Sequence, residues 1–160
     1  MTKWYSTAIV SDRTELNAHA DAIVHDFVLV TCRRLIMDKG SQINAHSTLA
    51  GRGAVYIGEN AVISYGCTLL TSSDSPDAEF MNDIMPMYIR NVKTEDIRLG
   101  EGSFIGAHSV IMPGVSIGPR AVVGALSYVD KSVPAGAVGW GRPFQVRWWR
   151  KPFKEEKAQE

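Results

Sequence analysis

From Leu99 the chain divides into six successive hexads, LGEGSF, IGAHSV, IMPGVS, IGPRAV, VGALSY and VDKSVP. The first place is always aliphatic: Leu99, Ile105, Ile111, Ile117, Val123 and Val129. The second is glycine at 100, 106, 118 and 124, and the fifth holds only small or modest side chains: Ser103, Ser109, Val115, Ala121, Ser127 and Val133. A helix would repeat apolar residues at i, i+3, i+4 and i+7, and a half-buried strand would alternate every second residue; a strict beat of six satisfies neither. It describes short strands separated by turns. One aliphatic side chain per strand points inward, and glycine serves where the backbone bends through positive φ or where a Cβ would collide. Three such units make a coil of about eighteen residues, and coils stacked about 4.8 Å apart form a parallel β-helix. Stacking then sets Leu99 over Ile117, Ile105 over Val123 and Ile111 over Val129 as core ladders.

The same beat runs upstream through Ile57, Ile63 and Leu69, with Ala61, Cys67 and Ser73 in the fifth places. Ile43 and Leu49 keep step, and GRGAVY adds two residues before Ile57. Before about residue 40 the pattern is ragged: Ile23, Leu29 and Leu35 are six apart, but SDRTELNAHAD is polar. Less regular coils that cap the stack are expected there, because an open prism end exposes apolar residues and strand edges. Between Thr71 and Asp96 the beat stops altogether. Connections of more than about 12 to 15 residues are usually functional or disordered, so residues 72–96 are expected to form an extruded loop. The division expected is a β-helix domain over 1–147, carrying that loop, and a short C-terminal tail over 148–160.

A chain of 160 residues fits one domain. Its 17 Lys and Arg balance 17 Asp and Glu, so no global field favours nucleic acid or an anionic surface, and any anion must be held locally. Neither a signal-peptide run nor an apolar stretch long enough for a membrane span is found, which points to a cytoplasmic protein. Cys32 and Cys67 lack a CxxC spacing and are expected to be reduced core residues.

The segment IRLGEGSFIGAHSVIMPGVSIGPRAVVGALSYVDKSVPAGAVGWGRPFQVR carries a family resemblance. Its repeated I-G starts, the IMPGVSIG middle, the VPAG closing turn and the GRPFQVR exit resemble the hexapeptide-repeat acyltransferases, a group that includes galactoside, maltose, serine and polysaccharide acetyltransferases. The resemblance covers roughly residues 43–147. It implies an all-β, left-handed parallel β-helix assembled as a homotrimer, with active sites between subunits. It also implies acyl-CoA along a prism edge near the C-terminal coils and the acceptor under the loop. The implied activity is transfer of an acetyl or related acyl group from acyl-CoA to a hydroxyl or amine of a sugar or sugar nucleotide, in surface-polysaccharide biosynthesis and with no metal. A lid over the acceptor would exclude water and limit hydrolysis of the thioester.

Sugar-directed relatives use a histidine just after the strand that opens the loop, as general base. Here that segment reads TSSDSP, and the histidine place falls on Asp74 or Pro76. A carboxylate titrating near its usual value of about 3.9 is a weak base at neutral pH unless burial or a like charge raises it. The candidates for the base are therefore Asp74 and the two histidines in fourth hexad places, His46 and His108. Relatives hold the pantetheine arm through backbone groups, which the resemblance carries onto Gly106, Ala107, Gly124 and Ala125. The exit supplies Arg142, Arg147, Arg150 and Lys151 for the CoA phosphates. Trp148 and Trp149 either stack on adenine or pack on a terminal segment. In the loop, Ser73, Asp83 and Arg90 are the candidate acceptor contacts. Two rival functions follow: a non-catalytic trimer that has lost the base, and a metal enzyme resembling the γ-carbonic anhydrases. The contexts of His19, His25, His46 and His108 do not match that second family's zinc ligands.

Overall fold

The computed structural model describes residues 3–152 and is an all-β parallel solenoid whose three sheets form the faces of a prism. Face A carries Lys3–Trp4, Ile23–Val24, Gln42–Ile43, Val62–Ile63, Phe104–Ile105, Val122–Val123 and Ala137–Trp140. Face B carries Ile9–Val10, Leu29–Val30, Thr48–Ala50, Thr68–Leu70, Val110–Ile111 and Tyr128–Val129. Face C carries Glu15–Ala18, Arg34–Met37, Ala54–Ile57, Ile97–Leu99 and Ser116–Ile117.

Each face contributes an inward ladder, and the longer strands of face C add a second one of Leu35, Val55 and Ile97. Ile43, Ile63, Ile105 and Val123 align on face A. Leu49, Leu69, Ile111 and Val129 align on face B. Ile57, Leu99 and Ile117 align on face C. All are buried, and each such side chain contributes about 1.5–3 kcal/mol by leaving water. The three stackings expected from the hexads are those observed.

The N-terminal coils are more regular than their sequence suggests. Val24 and Val30, not Ile23 and Leu29, point inward and stack on Ile43 and Leu49. In IV and LV pairs both residues are aliphatic, so spacing alone leaves the phase open by one residue. The corner decides it: Phe27 takes φ 57° three residues after Val24, as His46 takes φ 63° three residues after Ile43.

The corners also divide the two roles anticipated for glycine. Positive φ falls on the fourth place, at Asn60, Gly66, Gly102, His108, Gly114, Arg120 and Leu126. Second-place glycines are needed instead for close approach, since a Cβ on Gly100 would lie 2.5 Å from the Pro119 nitrogen in the next coil. Fifth-place serines face the tight interior of a corner, where Ser47 donates its hydroxyl to Ser64 O at 2.8 Å and Ser127 to Gly124 O at 2.7 Å, while the buried Ser103 hydroxyl has no partner among the described residues. Cys67 occupies such a fifth place and Cys32 the turn into Arg34–Met37; both are buried and unpaired, and burial pushes the Cys32 thiol up to about 11 and raises that of Cys67. Both therefore stay protonated and unreactive at neutral pH.

The loop leaves the edge between faces B and C and is not without structure. Ser72–Asp74 pairs antiparallel with Val92–Thr94 as a stem, and Met87–Arg90 forms a single helical turn. Its base is pinned to the preceding coil. Buried Thr71 donates its hydroxyl to Ala50 O at 2.9 Å and accepts the Gly53 N–H at 3.0 Å, and Asp96 accepts the Ala54 N–H at 2.8 Å. At the C-terminal end Gln145–Trp149 reverses onto Ala137–Trp140, so Trp148 and Trp149 lie in a strand that extends face A. Of the tail expected over 148–160, residues 153–160 lie outside the described part.

Candidate active site

The candidate residues fall on two different edges of the prism. Along the edge between faces A and B, corner residues of successive coils form a column of Phe27, His46, Gly66, His108 and Leu126, each at positive φ. Backbone bonds tie the column together, with Gly66 N–H donating to Ala45 O at 3.0 Å, His108 N–H to Tyr65 O at 2.9 Å and Leu126 N–H to Ala107 O at 2.9 Å. His46 stacks on Phe27, with ring centroids 5.0 Å apart. The His108 ring folds over Gly66, where an added Cβ would come 2.5 Å from Nδ1. Only a glycine at that level gives the imidazole its place.

Gly106, Ala107, Gly124 and Ala125 lie beside His108 on this edge, since they are the second and third places of the hexads that supply His108 and Leu126. The column ends at Trp140 and Gly141. A Cβ on Gly124 would lie 2.9 Å from that of Trp140, the Arg147 guanidinium sits 5.4 Å from the Trp140 ring centre, and Gly141 N–H donates to Ser127 Oγ at 3.1 Å. Arg142 follows in the same turn. The four cations expected to act together are separated by the strand that carries them. Gln145–Trp149 crosses face A, so Arg150 and Lys151 emerge on the far edge. There the Arg150 guanidinium donates to Arg120 O at 3.3 Å and that of Arg120 to Lys151 O at 3.1 Å.

The second cluster lies at the base of the loop, on the edge between faces B and C. A cleft of about 180 Å³ is lined by Ser73, Asp74, Lys93, Met112, Tyr128 and Asp130. Asp74 faces it but is held from behind by Arg90, whose Nε and Nη2 donate to the two carboxylate oxygens at 2.7 and 2.9 Å. Arg90 Nη2 also meets Asp83 at 2.6 Å. Arg90 is buried, with a side chain only 7% exposed. The Arg90 hydrogen bond is the chief reason that the Asp74 carboxyl is held below the usual carboxylate range. Sequence had offered burial or like charge to raise it; the guanidinium wins, and Asp74 is a locked anion rather than a base poised near neutrality. Arg90 and Asp83 are thereby a latch within the loop. Tyr128 and Asp130 were not singled out from sequence as cleft residues, and only the pairing of stem with coil brings them together. Among the described residues no group of three His, Cys, Asp or Glu side chains lies together as a metal-ligand set.

Comparisons with known proteins agree with this architecture. Residues 96–131 match the family model described as bacterial transferase hexapeptide (six repeats). A putative acetyltransferase, YvoF, of Bacillus subtilis is 31% identical over 101 residues, 63% of this chain and 51% of its own length. The galactoside O-acetyltransferase of Escherichia coli K12 is 34% identical over 103 residues, 64% of this chain and 48% of its own. The chain thus spans about half the length of the curated relatives it matches. Among solved structures, AntD, an N-acyltransferase from Bacillus cereus in complex with dTDP-4-amino-4,6-dideoxyglucose and coenzyme A, superposes with a TM-score of 0.77 at 24% identity, covering 94% of this chain and 83% of AntD. At that identity the likeness speaks for the fold. The chain is a hexapeptide-repeat β-helix protein that resembles the acyltransferases of sugars and sugar nucleotides.

Proposed function

We propose that this protein transfers an acetyl or related acyl group from acyl-CoA to an amine or hydroxyl of a sugar or sugar nucleotide, in the cytoplasm and for surface polysaccharides. The observation that carries the reading is the edge between faces A and B, where His108 stands beside the Gly106–Ala107 and Gly124–Ala125 backbone and ends under Trp140 and Arg147. Backbone groups there would hold the pantetheine arm, and Arg142 and Arg147 the phosphates. His108 would accept the proton of the attacking hydroxyl or amine as it adds to the thioester carbonyl, and CoA would leave as the thiol. Relatives and structural neighbours support the substrate class. One relative is named dTDP-4-amino-4,6-dideoxy-D-glucose acyltransferase, and AntD was solved with the corresponding sugar nucleotide.

The assembly would be a homotrimer, and the separation of the two clusters supports it. Within one copy the loop cleft with Asp74 and the column with His108 occupy opposite edges of face B. Side-by-side packing of prisms brings one copy's loop edge against another's histidine edge and completes a site at each junction. Asp74 then acts through Arg90 and Asp83 to shape the acceptor side, with Ser73 at the cleft wall. His46, two levels below His108 and packed on Phe27, has a place in the column rather than beside the donor backbone.

The test is thiol release from acetyl-CoA with a panel of amino-sugar nucleotides, neutral sugar nucleotides and galactosides. Acceptor-dependent turnover that His108→Ala lowers by about 100-fold or more is the expected result for loss of a general base. CoA binding without turnover on any acceptor would favour the non-catalytic trimer instead.

A further inference from the structure

The C-terminal rim of the prism carries chemistry beyond the column that would hold CoA. Gln145–Trp149 is the last level of face A, and all five of its residues are exposed. Trp148 and Trp149 are 54% and 57% exposed. The segment from Trp140 to Lys151 holds Arg142, Arg147, Arg150 and Lys151 and no acidic residue, in a chain whose 17 basic and 17 acidic residues cancel as a whole. Arg150 and Lys151, on the edge away from His108, meet only backbone or solvent and no carboxylate among the described residues. Two exposed indoles with adjoining cations are what a protein presents to a lipid headgroup layer, where indole rings rest at the interface and cations meet phosphates.

We propose that this rim docks the protein on an anionic membrane surface, with Trp148 and Trp149 at headgroup depth and Arg150 and Lys151 against lipid phosphates. Charge complementarity selects this occupant. A second copy of the strand would bring a second cluster of cations against the first. A single stacked base does not account for both indoles, because neighbours on a strand point to opposite sides. Trp148 pairs with Val138 and Trp149 with Ala137, on opposite sides of the sheet. At the rim of the prism both sides are open to a surface laid across its end. The contact rests on no part of the acyl-transfer reading, although parallel copies in a trimer would present their rims together and bind by avidity.

The test is sedimentation of the full chain with vesicles of phosphatidylglycerol and phosphatidylcholine, beside vesicles of phosphatidylcholine alone, without CoA or acceptor. Binding to the anionic vesicles is expected, weakened about tenfold by Trp148→Ser with Trp149→Ser and weakened again as salt is raised. Arg150→Gln with Lys151→Gln gives a second variant, should the tryptophan pair fail to fold by circular dichroism, and is expected to act in the same direction. Absence of binding, equal binding to neutral vesicles, or undiminished binding by folded variants overturns the proposal. Binding to single-stranded nucleic acid in place of vesicles, or a fall in molar mass on substitution without vesicle binding, overturns it in favour of a nucleic acid or a second copy. A protein inactive in thiol release but bound to anionic vesicles leaves this inference standing and removes the enzymatic one.

Discussion

At the scale of single residues, two of the candidate bases, Asp74 and His108, differ in what surrounds them. Asp74 is tied through both oxygens to a buried guanidinium, which favours its charged form and leaves it a poor proton acceptor. His108 is exposed on the edge that carries the proposed donor backbone, with its ring seated over a glycine. His108→Ala is therefore expected to lower kcat for acyl transfer about 100-fold or more. Asp74→Asn should cost far less in kcat, its effect falling on KM for the acceptor, while a larger loss of kcat in Asp74→Asn than in His108→Ala would return the base to the carboxylate. Steady-state kinetics of both variants check it.

At the scale of elements, the prism and its loop are held by different forces and should fail separately. The prism rests on apolar ladders: Ile105→Ala empties a position between Ile63 and Val123 and is expected to cost about 2–5 kcal/mol, measured by urea unfolding. The loop rests on a few polar contacts at its stem and on the Arg90 latch, while Ile84 and Tyr88 at its tip stay exposed. Arg90→Ala should raise the rate of protease cleavage within residues 76–90 about tenfold or more and leave the urea midpoint of the prism nearly unchanged. Acid should loosen the latch in the same way. Asp74 has a lowered pKa in the fold, so its contribution is whole above the unfolded carboxylate value near 3.9 and is lost as pH falls through the lower folded value.

At the scale of the whole molecule, the separation of the loop cleft from the histidine column makes the proposed site a property of the assembly. Mixing His108→Ala with Arg90→Ala subunits, each impaired alone, should restore part of the activity. In mixed trimers some junctions join an intact histidine edge to an intact loop edge. Subunit exchange followed by thiol-release assay checks this, and mixtures no more active than their components would place the site within one copy.

The hexad beat by itself determined the solenoid, the ladders from Leu99 to Val129 and the place of the loop. Each of these follows from local spacing: a strand short enough to carry one inward side chain must turn at once, and a lapse in spacing must leave the prism. Local spacing could not choose between Ile23 and Val24, because two adjacent aliphatic residues fit either phase until the corner at Phe27 is built. It could not tell that Arg90, sixteen residues on, would return across the loop to clamp Asp74. Nor did it show that a five-residue strand would separate Arg142 and Arg147 from Arg150 and Lys151. These depend on which side chains meet through space. Only the tertiary structure decides that, because the energies involved, a charge-assisted fork or a ring over a glycine, act over a few ångströms and carry no periodic signal along the chain.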